Sequence, residues 1–137
     1  MKKLDNWYML FFEYAKEVKD IPFEWGKWDC CKFSDAFIKQ ITGKNLIPKD
    51  LKWKDETSAM EAIAKYGTLN KALTKVCKDA GLLNIKPIMA TTGDLVLYKE
   101  ESELVGISDG YNILGPCDDG LGFKSHDLIV KAWRING

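Results

Sequence analysis

The chain of 137 residues contains a single histidine, His126, and this scarcity limits the chemistry it can support. Histidine is the commonest general base near neutral pH, so a mechanism that needs one has one candidate. The chain contains four cysteines and no C-x-x-C pair: Cys30, Cys31, Cys77 and Cys117. Without paired spacing they predict neither a zinc clamp nor a redox dithiol, and we expect no metal and no other cofactor.

The sequence also lacks a net charge and a long apolar run. Lys+Arg and Asp+Glu number 20 each, whereas nonspecific binding to nucleic acid or to an anionic membrane needs a basic excess. No apolar run reaches the roughly 18 residues of a transmembrane helix, and Glu13, Lys16 and Glu17 interrupt a start that resembles a signal peptide. We therefore expect no nucleic-acid partner, no membrane partner, and a location in the cytoplasm or inside an assembly.

Length and composition are those of a globular protein. Hydrophobic residues make up 46% of the chain and charged residues 29%, which disfavours long disorder. A length of 137 residues suits one domain rather than two. We therefore predict a single domain over residues 1–137.

Helical spacing dominates the first part of the chain. Apolar residues recur at intervals of three and four, and glycine or a capping side chain marks several of the helix ends. Four helices are predicted: residues 4–19, a second from about Asp29 to Gly43, a third opened by a capping box at Ser58–Glu61, and a fourth over residues 69–80. The polar segment 44–56 is interpreted as a solvated loop.

Strand patterns dominate the chain after Pro87. The dipeptide Asp109-Gly110 between two apolar runs is a strong signal for a tight hairpin. The predicted strands cover residues 94–98, 104–108, 111–114, 121–123 and 129–135. Helices followed by an antiparallel sheet predict an α+β fold, with the helices N-terminal and the sheet C-terminal.

The predicted second helix places Cys30 in its first turn. There the helix dipole and free backbone N–H groups favour the thiolate, and the same N–H groups could hold an oxyanion. Cys30 is therefore a candidate nucleophile, and it needs a base and a group that orients the base.

The segment from Pro22 to Cys30 resembles the aromatic turn before the nucleophile of NlpC-type papain-like cell-wall hydrolases. Gly93–Tyr98 and Val105–Ile107 resemble two strands of that superfamily. Trp25-Gly26 before Asp29-Cys30, Thr42-Gly43 and Ala132–Arg134 are similar to a branch found in phages and prophages, often encoded among tail genes. The resemblance implies a papain-like fold of NlpC type, with Cys30 at a helix start, and phage tail or other virion proteins as partners.

The resemblance also implies a loss of activity. The position of the base histidine, just before Val-Gly-Ile, holds Leu104, and the tyrosine that assists the oxyanion corresponds to Phe23. A leucine cannot accept a proton, and general-base catalysis contributes about 10²–10⁴-fold. We therefore expect a catalytically inactive virion component, made in the host cytoplasm or associated with the particle.

Two alternatives stay open. In the first, the chain is an active peptidoglycan endopeptidase or amidase with Cys30 as nucleophile and His126 as base. In the second, Trp25 and Trp28 stack on a cell-wall glycan or peptide, with Asp29 beside them. In the competing interpretation, both tryptophans hold the turn in place by packing and Asp29 caps the helix. The competing interpretation of His126 is a surface histidine in a turn.

Overall fold

The computed structural model describes residues 1–136, and Gly137, the last residue of the predicted domain, lies outside them. These residues form four helices followed by a six-stranded antiparallel sheet, so the predicted α+β class and its order are confirmed. The elements are α1 Trp7–Val18, α2 Cys30–Thr42, α3 Glu56–Ala64, α4 Leu69–Asp79, β1 Leu83–Ile85, β2 Leu95–Lys99, β3 Glu103–Ser108, β4 Asn112–Cys117, β5 Gly120–Ser125 and β6 Ile129–Arg134. Short 3₁₀ turns occupy Pro87–Met89 and His126–Leu128.

Helix α2 has the ends that its sequence predicts. Asp29 is the N-cap residue, with extended backbone angles, and its side chain accepts the N–H of Lys32. Gly43 ends the helix at φ 83°, a left-handed conformation that glycine adopts without strain. The expected inward face is also confirmed, because Phe33 and Phe37 are fully buried.

Two helices begin elsewhere than predicted. Helix α1 begins at Trp7 rather than at residue 4, because the N–H of Leu4 donates to the carbonyl of Ile41 at the end of α2. Helix α3 begins at Glu56, and Asp55 rather than Ser58 is its N-cap. Ser58 takes the N3 position of that capping box, so the predicted box at Ser58–Glu61 was three residues late.

The strands are ordered β1-β6-β2-β3-β4-β5 in one sheet. In the central pair, Leu97 lies opposite Val105 and Tyr98 opposite Leu104. The hairpin predicted at Asp109-Gly110 joins β3 to β4 and is confirmed. Strand β1 was missed, because this edge strand is only three residues long, too short for a periodic signal, and two of the three are exposed.

The sheet carries apolar side chains on both faces. One face packs under the helices, chiefly α2, and forms the larger core with Leu95, Leu97, Val105, Ile107, Leu114 and Trp133. The other face holds a smaller cluster of Ala90, Val96, Tyr98, Ile113 and Ala132. Helix α2 therefore packs on β3 and β4. Its first turn and the start of β3 border the same space.

None of the helices in residues 1–136 has both the length and the apolar character needed to cross a membrane.

Candidate functional site

The turn before α2 is organised by the carboxylate of Asp29, which is 1% exposed. Its Oδ1 accepts the N–H of Lys32 at 2.9 Å, and its Oδ2 accepts the N–H of Gly26 at 2.9 Å and Nε1–H of Trp53 at 2.7 Å. Charge-assisted hydrogen bonds of this kind are about twice as strong as neutral ones. One side chain therefore joins the turn, the start of α2 and the segment before α3.

Next to this cap lie two adjacent thiols, Cys30 and Cys31. The pKa of Cys30 is lowered, chiefly because the Cys31 side chain hydrogen-bonds to it. Burial alone would raise this pKa, and the backbone N–H groups of Val105 and Cys31 help to lower it. The pKa of Cys31 is raised well above its usual value, because its hydrogen bond to Cys30 and its burial both favour the neutral thiol. The two neighbouring thiols therefore differ in acidity: the pKa of Cys30 is lowered and the pKa of Cys31 is raised.

Cys30 and Cys31 lie on the wall of a cavity of about 460 Å³. The cavity is enclosed by the start of α2, the segment between α2 and α3, helices α3 and α4, and the start of β3. Its volume lies within the range of small-molecule pockets. The described residues thus surround a space beside the thiols that is large enough for a ligand.

Leu104 and Val105, at the start of β3, line this same cavity. Val105 belongs to the larger core against which Cys30 packs, and its backbone N–H helps to lower the pKa of Cys30, so this part of β3 passes beside the thiol. Leu104 is the position at which the resemblance places a base histidine. Its side chain packs against the smaller cluster, on the opposite face of the sheet from Val105 and Cys30, so the base position of the resemblance holds an aliphatic side chain that faces away from the thiol.

His126 lies elsewhere in the fold. Its Nε2 is 2.9 Å from Oγ of Ser108, at the other end of β3 from the thiol contact. Ser108 follows Val105 by three residues, which is about 10 Å along a strand. His126 is not among the residues that line the cavity, so the structure does not bring Cys30 and His126 to one wall.

The other predicted binding residues divide into two groups. Trp25 and Asp29 line the cavity together with Cys30. Trp28 does not line it; its ring packs edge-on against Phe33, with centroids 5.3 Å apart, at the border of the larger core. The structure thus brings Trp25, Asp29 and Cys30 together and leaves Trp28 in the packing of α2.

Sequence reasoning missed Cys31 and Trp53 at this site. Segment 44–56 was interpreted as a solvated loop because of its lysines, yet Leu46 is 7% exposed and Trp53 donates to Asp29. The available signal was the group of apolar residues spaced among those lysines, which include Leu51. Four of these apolar residues line the cavity: Leu46, Ile47, Leu51 and Trp53.

The remaining titratable side chains indicate no further centre near the thiols. Burial raises the pKa of Cys77 to about 12, as expected of a core thiol. Within residues 1–136, no three His, Cys, Asp or Glu side chains are grouped so that they could hold a metal ion.

Residues 2–135 match one family model, described as Domain of unknown function (DUF6950). The chain belongs to the DUF6950 family. No curated protein matches it. The match spans the helices and the sheet together, so in this DUF6950 protein the cavity, the thiol pair and the Asp29 turn all lie within the family's domain.

Because Asp29 accepts three hydrogen bonds, its replacement should destabilise the DUF6950 domain. Asp29→Ala leaves three donors without their acceptor, and we expect it to lower the free energy of unfolding by at least about 2 kcal/mol. The matched control is Thr68→Ala, which removes the exposed N-cap of α4 and should cost about 1 kcal/mol. Urea unfolding followed by circular dichroism measures both variants, and equal losses would contradict the organising role of Asp29.

The thiol pair predicts selective alkylation. Because the thiolate is the reactive form, Cys30 should react with iodoacetamide at neutral pH faster than Cys77, and its rate should level off at lower pH than that of a free thiol. Cys31→Ala removes the hydrogen bond that lowers the Cys30 pKa, and it should slow labelling of Cys30. His126→Ala should leave that rate unchanged, since His126 contacts Ser108.

Rates per cysteine come from peptide mass spectrometry across a pH series. If the alkylation rate of Cys30 depended on His126 and not on Cys31, then the imidazole, rather than the neighbouring thiol, would set the pKa of Cys30, and the prediction would be wrong.

Proposed function

We propose that the protein is a catalytically inactive relative of NlpC-type cysteine hydrolases that serves as a component of a phage or prophage tail. The observation that carries this proposal is that His126, the one histidine of the chain, is hydrogen-bonded to Ser108 and does not line the cavity of Cys30, while the base position of the resemblance holds Leu104. A general base must reach the nucleophile directly or through one water. Here the position at which the family has its base offers only the aliphatic side chain of Leu104.

A thiolate without a base and an orienting group is poorly equipped for hydrolysis. The proton that the leaving amine needs has no donor of suitable pKa beside Cys30, because Cys31 holds its proton well above neutral pH. The scaffold therefore supports binding better than turnover, in keeping with the rule that function is carried by sites rather than by folds.

A surface of α1 supports a docking role. Leu4, Tyr8, Met9 and Phe12 are 36–58% exposed, and we call them the α1 band. The rings of Tyr8 and Phe12 lie 5.0 Å apart, so the apolar surface is continuous along one side of the helix. Contiguous exposed apolar surface is typical of interaction sites. In the proposed function this band contacts a neighbouring tail protein.

An active peptidoglycan hydrolase is the second candidate, and one observation favours it. The lowered pKa of Cys30 is what a nucleophilic thiol requires. This candidate needs His126 to leave Ser108 and to reach Cys30. The wild-type chain would then cleave cell-wall peptides.

Restoration of the missing base tests the catalytic half of the proposal. Wild-type protein should release no fragments from purified peptidoglycan, whereas Leu104→His introduces an imidazole at a position that lines the cavity of Cys30. This variant should raise the iodoacetamide rate of Cys30 at neutral pH by about tenfold, because an adjacent imidazolium stabilises the thiolate. Leu104→Asn, which is polar but not basic, is the control. Cleavage by the wild type, or equal rates in the two variants, would contradict the assignment of Leu104.

Particle association tests the other half. Virions or tails from the encoding phage or prophage should contain the chain, and co-expressed tail proteins should co-migrate with it. Tyr8→Ser with Phe12→Ser should weaken that association at least about tenfold, since burial of an aromatic side chain contributes about 1.5–3 kcal/mol. Tyr111→Ser, at a ring that is 87% exposed away from α1, is the matched control. A monomer absent from every particle fraction would overturn the proposal.

A further inference from the structure

The cavity beside Cys30 has a predominantly aliphatic wall. Side chains from the segment before α3, from α3 and from α4 face it: Leu46, Leu51, Ile63, Leu69, Leu73 and Val76. Ligand pockets of this kind take most of their affinity from apolar burial and their selectivity from a few polar groups. The polar groups of this cavity therefore decide which ligand fits.

The charged groups on the cavity wall have one sign. Four carboxylates line it, from Asp29, Asp35, Glu56 and Glu103, and no Lys, Arg or His among the described residues does so. Within residues 1–136, none of the four forms a salt bridge. A largely apolar space whose lining charges are all negative attracts a positive group and repels an anion.

Asp35 and Glu103 accept hydrogen bonds from neutral backbone donors, which do not cancel the negative charge of a carboxylate. Asp35 accepts the N–H groups of Leu46 and Ile47 at 2.6 and 3.1 Å, and Glu103 accepts the N–H of Asn70 at 3.2 Å. Backbone donors stabilise the ionised form without cancelling its charge. Glu56 lies in the exposed first turn of α3, where it can meet an incoming ligand.

Two tryptophan rings, Trp25 and Trp53, lie on the same wall. Trp53 already attracts a cation, since Nζ of Lys32 lies 4.5 Å from the centroid of its ring. Lys32 itself is not a lining residue. Indole faces favour ammonium groups through their quadrupole, most strongly where water is excluded.

We propose that this cavity binds an aliphatic chain that carries one cationic amino group. The chain fills the space between α3, α4 and the sheet, and the ammonium group lies against the carboxylates and the indole rings. The inference rests on the proposed function in one respect: the pocket beside Cys30 binds its ligand without cleaving it. A fatty carboxylate of the same length is disfavoured, because its charge would be desolvated among four like charges.

Three probes of equal chain length test the inference: decylamine, decanol and decanoate, each below its micellar concentration at neutral pH. Titration is followed by tryptophan fluorescence and by calorimetry. Decylamine should bind at least about tenfold more tightly than decanoate, with decanol between them, and added salt should reduce the amine affinity because screening weakens the attraction. None of the probes has a bond that a thiol hydrolase cleaves, so the result is independent of turnover.

Variants assign the two parts of the site. Glu56→Gln with Glu103→Gln should bring decylamine and decanol to within about threefold of each other, because the charge is removed while the amide oxygens remain as acceptors. Glu13→Gln with Glu17→Gln, on α1 and exposed, is the matched control. Ala59→Phe, at a lining position that is 5% exposed, should weaken all three ligands.

Two results would overturn the inference. In the first, decanoate binds as tightly as decylamine; in the second, the wild-type protein binds none of the three probes. If a variant does not fold, the salt dependence of the unmodified protein decides: a decylamine affinity that does not change with salt also overturns it. Cleavage of peptidoglycan by the wild type would instead contradict the proposed loss of activity. The affinities for decylamine, decanol and decanoate would still decide whether the cavity prefers a cationic ligand.

Discussion

The buried carboxylate of Asp29 is the interaction on which the site depends. It receives N–H groups from the turn before α2, from the first turn of α2 and from the indole of Trp53. A buried charge is tolerated only where hydrogen bonds replace its hydration, so these three donors must meet at one point. Their convergence orients Cys30 toward β3 and draws the segment before α3 against α2, which closes one wall of the cavity. The position of the thiol and the shape of the space beside it therefore have a common cause.

The chemistry of the site follows from which neighbours the thiol has. Cys31 and the N–H of Val105 favour a thiolate at Cys30, whereas Leu104 offers no proton acceptor and His126 is held by Ser108. A sulfur beside an apolar cavity and without a proton shuttle agrees with the proposed binding role better than with acyl transfer. The carboxylates that line the same cavity are the basis of the proposed preference for a cationic ligand.

Much of the fold could be predicted from the sequence, because the decisive signals were local. The cap at Asp29, the left-handed Gly43 and the spacing of Phe33 and Phe37 predicted α2 correctly. The missed features depend on contacts between distant segments. Strand β1 exists through its pairing with β6, and α1 starts late because Leu4 hydrogen-bonds to the end of α2. The lysines of segment 44–56 concealed apolar side chains whose partners lie far away in sequence.

The sequence by itself determined the order of helices and strands, the helix position of Cys30 and the limit of one histidine, since composition, caps and periodicity act within a few residues. Only the tertiary structure decided which side chains meet. It joins Trp53 to Asp29, His126 to Ser108 and Leu104 to the wall beside Cys30. The physical reason is that such pairings follow from how α2, α3 and α4 pack on the sheet. That packing depends on apolar burial over the whole chain rather than on any local spacing.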